Sequence, residues 1–376
     1  MRAHAWKMKK KIKNKEMLLI LYYLKCAWNL FYALFNRWNT TRKIRDVEFL
    51  KIHDYLYLVH LRGTYEEMGE QFGRRMADVL HRDVQNYLKT IRQSPSFFLK
   101  NYTGRETDIF RALDGLYETN RANYNPDVLA YLRGMATGSG IPFTDLRRLN
   151  TVTELTDNHC ILLSKMIHGQ RLNLRTLDYG GPTLCQALTV FHPEGRIPYA
   201  TLQPCFAVGG YTGISAKQVF FGEAYHDLNL DEVYHREGMP FHHIAHRILA
   251  DAATQEEAAT ILRNCKRQSN LALLIATKDA AEVYLSSRFT CKPVTATDHA
   301  EEVFSVTPNE RARFTANRVY LESFSDVVRE FIPRTKSGES HIMLSYGDRV
   351  YVSVTTAIMQ SYNNTFYEFR MDQLFP

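Results

Sequence analysis

The chain has 376 residues, of which 45% are hydrophobic and 23% are charged, so it can bury a large core as one domain or two. Its formal net charge is +7, and much of that excess lies in residues 1–16, where seven Lys and Arg residues accompany Glu16 alone. Because a nucleic-acid-binding protein more often spreads basic residues over a folded face, this charge favours an anionic lipid surface, and we expect no nucleic-acid partner.

An apolar stretch at residues 17–38 is long enough to cross a bilayer, but Lys25, Asn29 and Asn36 interrupt it. Their spacing puts them on one helix face, opposite a broad aliphatic and aromatic face. Such a helix with a Lys-rich flank is typical of one that lies in the membrane interface, so we expect residues 1–45 to attach the chain to a membrane. The basic flank favours the cytoplasmic face. A membrane span, a signal peptide and a helix packed on the folded body are the alternatives.

The next segment, residues 46–159, is predicted to be mainly helical. It opens with a strand over Leu56 to Leu61, after which Thr64 can cap a helix. Gly69 and Gly73, four residues apart in that helix, allow it to pack closely on a neighbour. Further helical segments are predicted up to about residue 94, over residues 106–121 and from Asn125-Pro126 onward.

After residue 155 the pattern changes to short apolar runs separated by turn residues, which predicts strands. These runs are Ile161 to Leu163, Leu172 to Leu177, Ala187 to Phe191, Gln218 to Phe221, Leu271 to Ala276, Glu282 to Leu285 and Val350 to Thr355. Between them, Pro240 to Arg263 has the apolar periodicity of one amphipathic helix. Strands interspersed with long helices, after a helical front segment, predict an α+β fold of two packed sheets covered by helices.

Four separated segments carry a further signal. They are the glycine-spaced run Gly63 to Gly73, the run Leu132 to Gly140 followed by Asn150 and Glu154, then Cys160, and finally Arg175-Thr-Leu-Asp178-Tyr179. In this order they resemble the isopenicillin N acyltransferase family of autoproteolytic N-terminal-nucleophile (Ntn) hydrolases, relatives of penicillin V acylase, bile salt hydrolase and acid ceramidase. The resemblance runs with gaps from about residue 56 to the C-terminus. It implies a four-layer αββα sandwich with a helical N-terminal segment.

The resemblance implies self-cleavage between His159 and Cys160. Residues 46–159 would then be a pro-segment or small chain, and residues 160–376 the catalytic chain. The new α-amine of Cys160, with a reference pKa near 8, can serve as the base for its own thiol. Asp178 can orient that amine, and Arg175 can favour the thiolate. An exposed ion pair is the alternative for Arg175 and Asp178, which face opposite ways if both lie on one regular strand.

Three later residues match the family less closely. Tyr225 resembles a residue that helps to form the oxyanion hole, with a packing tyrosine as the alternative. Asn309 resembles a second oxyanion donor, although Pro308 precedes it, and an ordinary turn residue is the alternative. Arg318 resembles a second active-site arginine, or else lies on a solvated helix face. In addition, Leu174 stands where the family often has glycine, and we expect it to crowd the strand beside the substrate.

Other chemistries have weaker signals. The six cysteines lie far apart, without the spacing of a disulfide framework or a zinc site. A papain-like protease is not favoured, because no signature of that kind surrounds Cys160. His242 and His246 have metal-ligand spacing on a helix but no evident third ligand, so we interpret them as helix-face histidines and expect no metal site.

These features predict a cysteine acyltransferase or amidohydrolase that acts on an amide or acyl-thioester substrate, with lipid-like compounds among the candidates. Hydrolysis and transfer share the acyl-cysteine intermediate and differ in whether water or an amine attacks it. We expect no cofactor, with acyl-coenzyme A left open as a donor substrate. A membrane-attached, non-catalytic binding protein with the same fold is the alternative. The sequence leaves open whether the chain forms a homo-oligomer.

Overall fold

The computed structural model describes residues 41–43, 47–99, 105–155, 160–178, 183–225, 237–268, 270–287, 290–294, 302–305 and 316–376. The apolar stretch 17–38, the cleavage residue His159 and the predicted oxyanion donor Asn309 lie outside these residues. Among the described residues, no helix is both long and apolar enough to cross a membrane.

The described strands form one seven-stranded and one nine-stranded sheet. Strands β1 to β8 are Thr41–Lys43, Phe49–His53, Leu56–Gly63, Cys160–Ile167, Gln170–Leu177, Gln186–Pro193, Tyr199–Pro204 and Thr212–Ser215. Strands β9 to β16 are Phe220–Tyr225, Leu271–Ala276, Ala281–Ser286, Cys291–Pro293, Glu302–Ser305, His341–Tyr346, Arg349–Val354 and Phe366–Arg370. The first sheet has the order β1-β16-β15-β14-β5-β4-β13, and the second has the order β12-β11-β10-β9-β8-β7-β6-β3-β2.

All of the described helices precede β4 or follow β9. Helices α1 to α6 are Tyr65–Arg75, Ala77–Gln93, Pro95–Leu99, Ile109–Asn120, Pro126–Ser139 and Phe143–Thr151. Helices α7 to α11 are Phe241–Asp251, Gln255–Asn264, Phe324–Asp326, Ile332–Thr335 and Met371–Leu374, and a π-helical turn Val327–Phe331 joins α9 to α10.

The two sheets pack face to face, with β4 and β5 of the first sheet against β9 of the second. Helix α7 covers β8 and β9 on the outer side of the second sheet. On the outer side of the first sheet, Leu163 and Leu174 pack against Val327, Phe331 and other side chains of the α9–α10 segment. The chain therefore has the predicted α+β fold, with its layers in the order helix, sheet, sheet, helix.

Helices α1 and α5 are in direct backbone contact, as the glycine spacing predicts. A Cβ atom on Gly69 would lie 2.0 Å from the carbonyl oxygen of Tyr131, and one on Gly134 would lie 2.0 Å from that of Glu66. Only glycine fits at either position. Thr64 forms a capping box with Glu67 at the start of α1, which confirms the predicted helix start.

The front segment and the long amphipathic helix differ from the sequence expectations. Strand β3 pairs in parallel with β6 over eight residues, so part of residues 46–159 is built into the second sheet. The helix predicted over Pro240 to Arg263 is wrong as one element, because it is divided into α7 and α8. The backbone is extended at Ala252, and the Thr254 side chain accepts a hydrogen bond from Glu257 N–H to start a new helix. The apolar periodicity continues across this break and conceals it.

Candidate active site

Cys160 is the first residue of β4 and is fully buried. It lies opposite Leu177 in the antiparallel β4–β5 hairpin, in which Leu162 lies opposite Arg175. Directly opposed residues point to the same face of a sheet, and residues two apart share that face. Cys160, Leu162 and Arg175 therefore all point toward the second sheet.

The Arg175 side chain, with no exposed surface, crosses from the first sheet to the second. Its Nε donates to the carbonyl oxygen of Glu223 at 3.0 Å, and its Nη2 forms an ion pair with the Glu223 carboxylate. The same Nη2 lies 3.7 Å from the Sγ atom of Cys160. Gly222 makes room for this crossing, because a Cβ there would lie 2.9 Å from Cγ of Arg175. The guanidinium is thus fixed beside the candidate nucleophile.

The other end of the guanidinium contacts Thr212 and His341. Arg175 Nη1 donates to Thr212 Oγ1 at 3.0 Å and lies 3.0 Å from His341 Nε2. His341 Nδ1 lies 3.0 Å from Oε1 of Gln186, which can only accept, so Nδ1 carries the proton and Nε2 accepts from Arg175. Burial, and then the charge of Arg175, holds the pKa of His341 well below its usual value, so this imidazole is neutral.

Burial also sets the protonation of the thiol and of the Glu223 carboxyl. It raises the pKa of Cys160 well above that of a free thiol, while the charge of Arg175 acts in the opposite direction. Burial raises the pKa of Glu223 as well, and Arg175 opposes that shift. In the uncleaved chain Cys160 is therefore a neutral thiol with a cation beside it.

Asp178 follows the last residue of β5, so it need not obey the strand alternation that separates it from Arg175 in the sequence argument. Its carboxylate accepts hydrogen bonds from the Ser337 hydroxyl and from the N–H groups of Gly338 and Glu339. Burial raises its pKa, and these hydrogen bonds act against that shift. Asp178 and Arg175 do not form an exposed ion pair, because Arg175 is buried and pairs with Glu223.

Two hydroxyl groups connect Asp178 to the residue that follows Cys160. Ile161 N–H donates to Thr176 Oγ1 at 2.8 Å, and Thr176 Oγ1 lies 2.6 Å from Ser337 Oγ. Ser337 in turn donates to Asp178. This relay is buried and fixes the backbone of β4 next to the candidate nucleophile relative to the carboxylate.

Leu174 does not crowd this region, so that expectation is wrong. It lies opposite Leu163, and both side chains face the outer helices with Val327. The alternation of the strand turns Leu174 away from the face that carries Arg175.

The structure describes the elements that carry Tyr225 and Arg318. Tyr225 is the last residue of β9, half-buried and two residues after Glu223, so it points to the same face as Glu223. Arg318 begins the 3-10 turn Arg318–Tyr320, which is far from Cys160 along the chain. Cys160, Arg175 and Asp178 are thus brought together, and the roles of Tyr225, Asn309 and Arg318 remain predictions.

The sequence argument missed Glu223, His341 and Thr212. Glu223 had a signal, because it is the one charged residue in the otherwise apolar and aromatic strand Phe220–Tyr225. No signal in the sequence distinguishes His341 and Thr212 from other polar residues on strands.

The paired histidines of α7 are buried packing residues. His242 lies 3.7 Å from the Glu154 carboxylate, and burial lowers its pKa to about 3. His246 Nδ1 lies 2.9 Å from the hydroxyl of Tyr199. Within the described ranges, no group of three side chains is arranged to hold a metal ion.

Part of the chain is similar to known proteins. No family model matches the chain. The proteins dcd1B and dcd1A of Dictyostelium discoideum are each 25% identical to it, over 232 and 236 residues. Each alignment covers 56% of this chain but only 46% of dcd1B and 53% of dcd1A, so the chain spans about half the length of these relatives.

Two solved structures are also similar. One is a Caenorhabditis elegans ortholog of N-acylethanolamine-hydrolyzing acid amidase, with 16% identity, a TM-score of 0.40, and coverage of 49% of this chain and 92% of that one. The other is a mutant of the conjugated bile acid hydrolase from Clostridium perfringens, with 8% identity, a TM-score of 0.34, and coverage of 57% and 93%.

Proposed function

We propose that this chain is an autoproteolytic cysteine amidohydrolase or acyltransferase that works through an acyl-Cys160 intermediate. The observation that supports this most is the guanidinium of Arg175, which lies 3.7 Å from the Cys160 sulfur. Ion pairing with Glu223 and contacts with Thr212 and His341 hold it there. A fixed cation beside a thiol stabilises the thiolate, which is the nucleophilic form of cysteine.

Self-cleavage begins when the sulfur of Cys160 attacks the carbonyl carbon of His159. A thioester replaces the peptide bond, and the Cys160 nitrogen becomes a free amine. Water then hydrolyses the thioester and leaves a new carboxylate on His159. In the uncleaved chain the relay through Thr176 and Ser337 fixes the backbone beside this bond.

The substrate reaction uses the new α-amine as the base. With a pKa near 8, this amine can take the proton of its own thiol. The thiolate attacks the carbonyl carbon of an amide or acyl thioester, and the departing amine or thiol takes that proton. Water or an acceptor amine then attacks the acyl-Cys160 thioester. Asp178 orients the α-amine, and Tyr225 and Asn309 donate hydrogen bonds to the oxyanion, while Arg318 supplies a second cation near the substrate.

Residues 17–38 attach this enzyme to a membrane surface, with the cytoplasmic face favoured by the Lys-rich flank. An enzyme held at that surface meets acyl chains at high local concentration. The proposed donor is therefore a fatty-acyl amide or thioester, with acyl-coenzyme A included among the thioesters.

Intact-mass measurement of the purified protein tests the proposal. Cleavage before Cys160 gives fragments of 159 and 217 residues (376 − 159). Denaturing conditions are needed, because the β3–β6 pairing holds the two fragments in one sheet. The control is Cys160→Ala, which stays whole. A wild-type chain that remains whole and still turns over an amide substrate contradicts the N-terminal-nucleophile mechanism.

The second candidate is a non-catalytic binding protein with the same fold. The complete burial of Cys160 and the raised pKa of its thiol favour it. The same purified protein distinguishes the two functions. A chain that stays whole and does not react at Cys160 with an acyl probe supports the binding protein.

A further inference from the structure

A polar cleft lies at the end of the sandwich away from Cys160. Strand β4 runs from Cys160 to Ile167, a distance of about 23 Å at the usual rise of a strand, and the cleft adjoins the turn that follows. Its volume is about 290 Å³. Both sheets contribute to its lining, chiefly through Gln170, Arg171, Asn173, Gln218, Lys278 and Asp279.

Arg171 is the partly buried cation of this cleft. Its Nη1 donates to Ser164 Oγ at 3.2 Å, and its Nη2 donates to the carbonyl oxygen of Asp279 at 3.3 Å. Both acceptors are neutral, and Nε is shielded from solvent without an acceptor among the described residues. Among the described residues, Nη1 and Nη2 each donate one hydrogen bond, so each keeps one further N–H for a ligand in the cleft.

The charge of Arg171 is also only partly compensated. Burial lowers its pKa, and the charge of Asp279 acts in the opposite direction, but no carboxylate of the described part of the chain forms an ion pair with it. A partly buried cation without a paired anion is costly, and a bound anion removes that cost. The ammonium group of Lys278, an exposed residue that also lines the cleft, adds a second positive charge.

Gln218 contributes a further amide side chain to the lining of this cleft. It has φ of 60°, a left-handed conformation that a residue with a Cβ atom rarely adopts. The turn between β8 and β9 sets this conformation, because Gln218 N–H donates to the carbonyl oxygen of Ser215 at 2.8 Å.

We propose that this cleft binds the phosphate group of a small molecule. Arg171 offers guanidinium N–H groups and Lys278 an ammonium group, and Gln170 and Gln218 offer side-chain amides. These are the donors that a phosphate with several acceptor oxygens requires. The cleft volume equals that of roughly ten water molecules, which leaves room for an organic group on the phosphate. The Asp279 carboxylate repels an anion from its own side, so the phosphate lies toward Arg171 and Lys278.

Titration of the full-length protein with inorganic phosphate, at constant ionic strength, tests this site. Calorimetry or a thermal shift should give a saturable response. Arg171→Gln should weaken the phosphate Kd by about tenfold or more, because charge-assisted hydrogen bonds are lost, and Lys278→Gln should weaken it less. The matched control is Lys292→Gln, which removes an exposed lysine of β12 that does not line the cleft.

A second arm uses vesicles with and without a phosphate-monoester lipid. Binding that Arg171→Gln weakens and Lys292→Gln does not identifies a lipid headgroup as the source, whereas a response to free phosphate alone identifies a soluble ligand. Lys278→Gln, at an exposed position, keeps the test valid if Arg171→Gln does not fold. Equal phosphate affinity in wild type, Lys278→Gln and Lys292→Gln, or no saturable response in either arm, overturns the proposal. Labelling of Cys160 should be unchanged in Lys278→Gln, which separates this site from the proposed catalytic one.

Discussion

Replacement of Thr176 by valine tests the relay between Ile161 and Asp178. Valine has the shape of threonine but no hydroxyl, so the substitution removes the acceptor of Ile161 N–H at 2.8 Å and the partner of Ser337 at 2.6 Å. The site is fully buried, and water does not replace the lost partner of Ile161 N–H. An unsatisfied buried donor costs about 1–3 kcal/mol. We expect a loss of that size in the free energy of unfolding.

The chain offers a matched control. Thr201 is also fully buried on a strand, and its hydroxyl has no hydrogen-bond partner among the described residues. Thr201→Val should therefore leave stability unchanged or raise it, since it removes a polar atom that is buried without compensation. Thr176→Ser keeps the hydroxyl and should restore most of what Thr176→Val loses.

The assays are denaturant unfolding and the fraction of chain split, measured by intact mass as a function of time after synthesis. We expect Thr176→Val to be less stable and to split more slowly, and Thr176→Ser to split faster than Thr176→Val. If Thr176→Ser restores the splitting rate that Thr176→Val loses, the hydroxyl group positions the backbone for splitting, and a general loss of packing does not explain the slower rate. If Thr176→Val unfolds and splits as Thr201→Val does, the relay has no role.

Four further outcomes follow from the proposed function. Cys160→Ala should abolish both splitting and labelling by a thiol-reactive acyl probe, whereas Cys265→Ala should do neither; equal labelling of the two variants would point to another thiol. Asp178→Asn should slow splitting by about 100-fold or more, because one amide oxygen cannot replace two carboxylate oxygens that accept three hydrogen bonds. Normal splitting in this variant would count against the role of Asp178. The pKa of buried His341 is lowered, so below about pH 6.5 the unfolded chain binds a proton that the folded chain does not. The free energy of unfolding should therefore fall as the pH drops below about 6.5, and it should fall less steeply in His341→Gln. Denaturant titrations at several pH values measure both. Deletion of residues 1–45 should move the protein from the membrane fraction to the supernatant with splitting intact, and a full-length chain that ignores anionic vesicles would refute the proposed attachment.

Local signals predicted much of the fold. Thr64 with Glu67, and Asn125 before Pro126, mark helix starts that the structure has, because a cap is decided by residues within one turn. The run Leu271–Ala276 is a strand with the predicted bounds. The spacing of Gly69 and Gly73 predicted a close helix neighbour, but it did not identify that neighbour as α5.

The candidate site was also predicted only in part from the sequence. The sequence by itself determined the nucleophile candidate, its order before Arg175 and Asp178, and the two apolar runs Ile161 to Leu163 and Leu172 to Leu177, which are strands. The pairing of those strands, which puts Cys160 and Arg175 on one face, was not predicted. Only the tertiary structure decided what surrounds Arg175. Glu223 and His341 come from positions 48 and 166 residues away. Glu223 meets the guanidinium because the second sheet packs face to face on the first, whereas His341 lies on β14, the strand next to β5 in the same sheet. Both the strand order and the alignment of two packed sheets depend on the whole core, and they leave no pattern in any short segment of the chain.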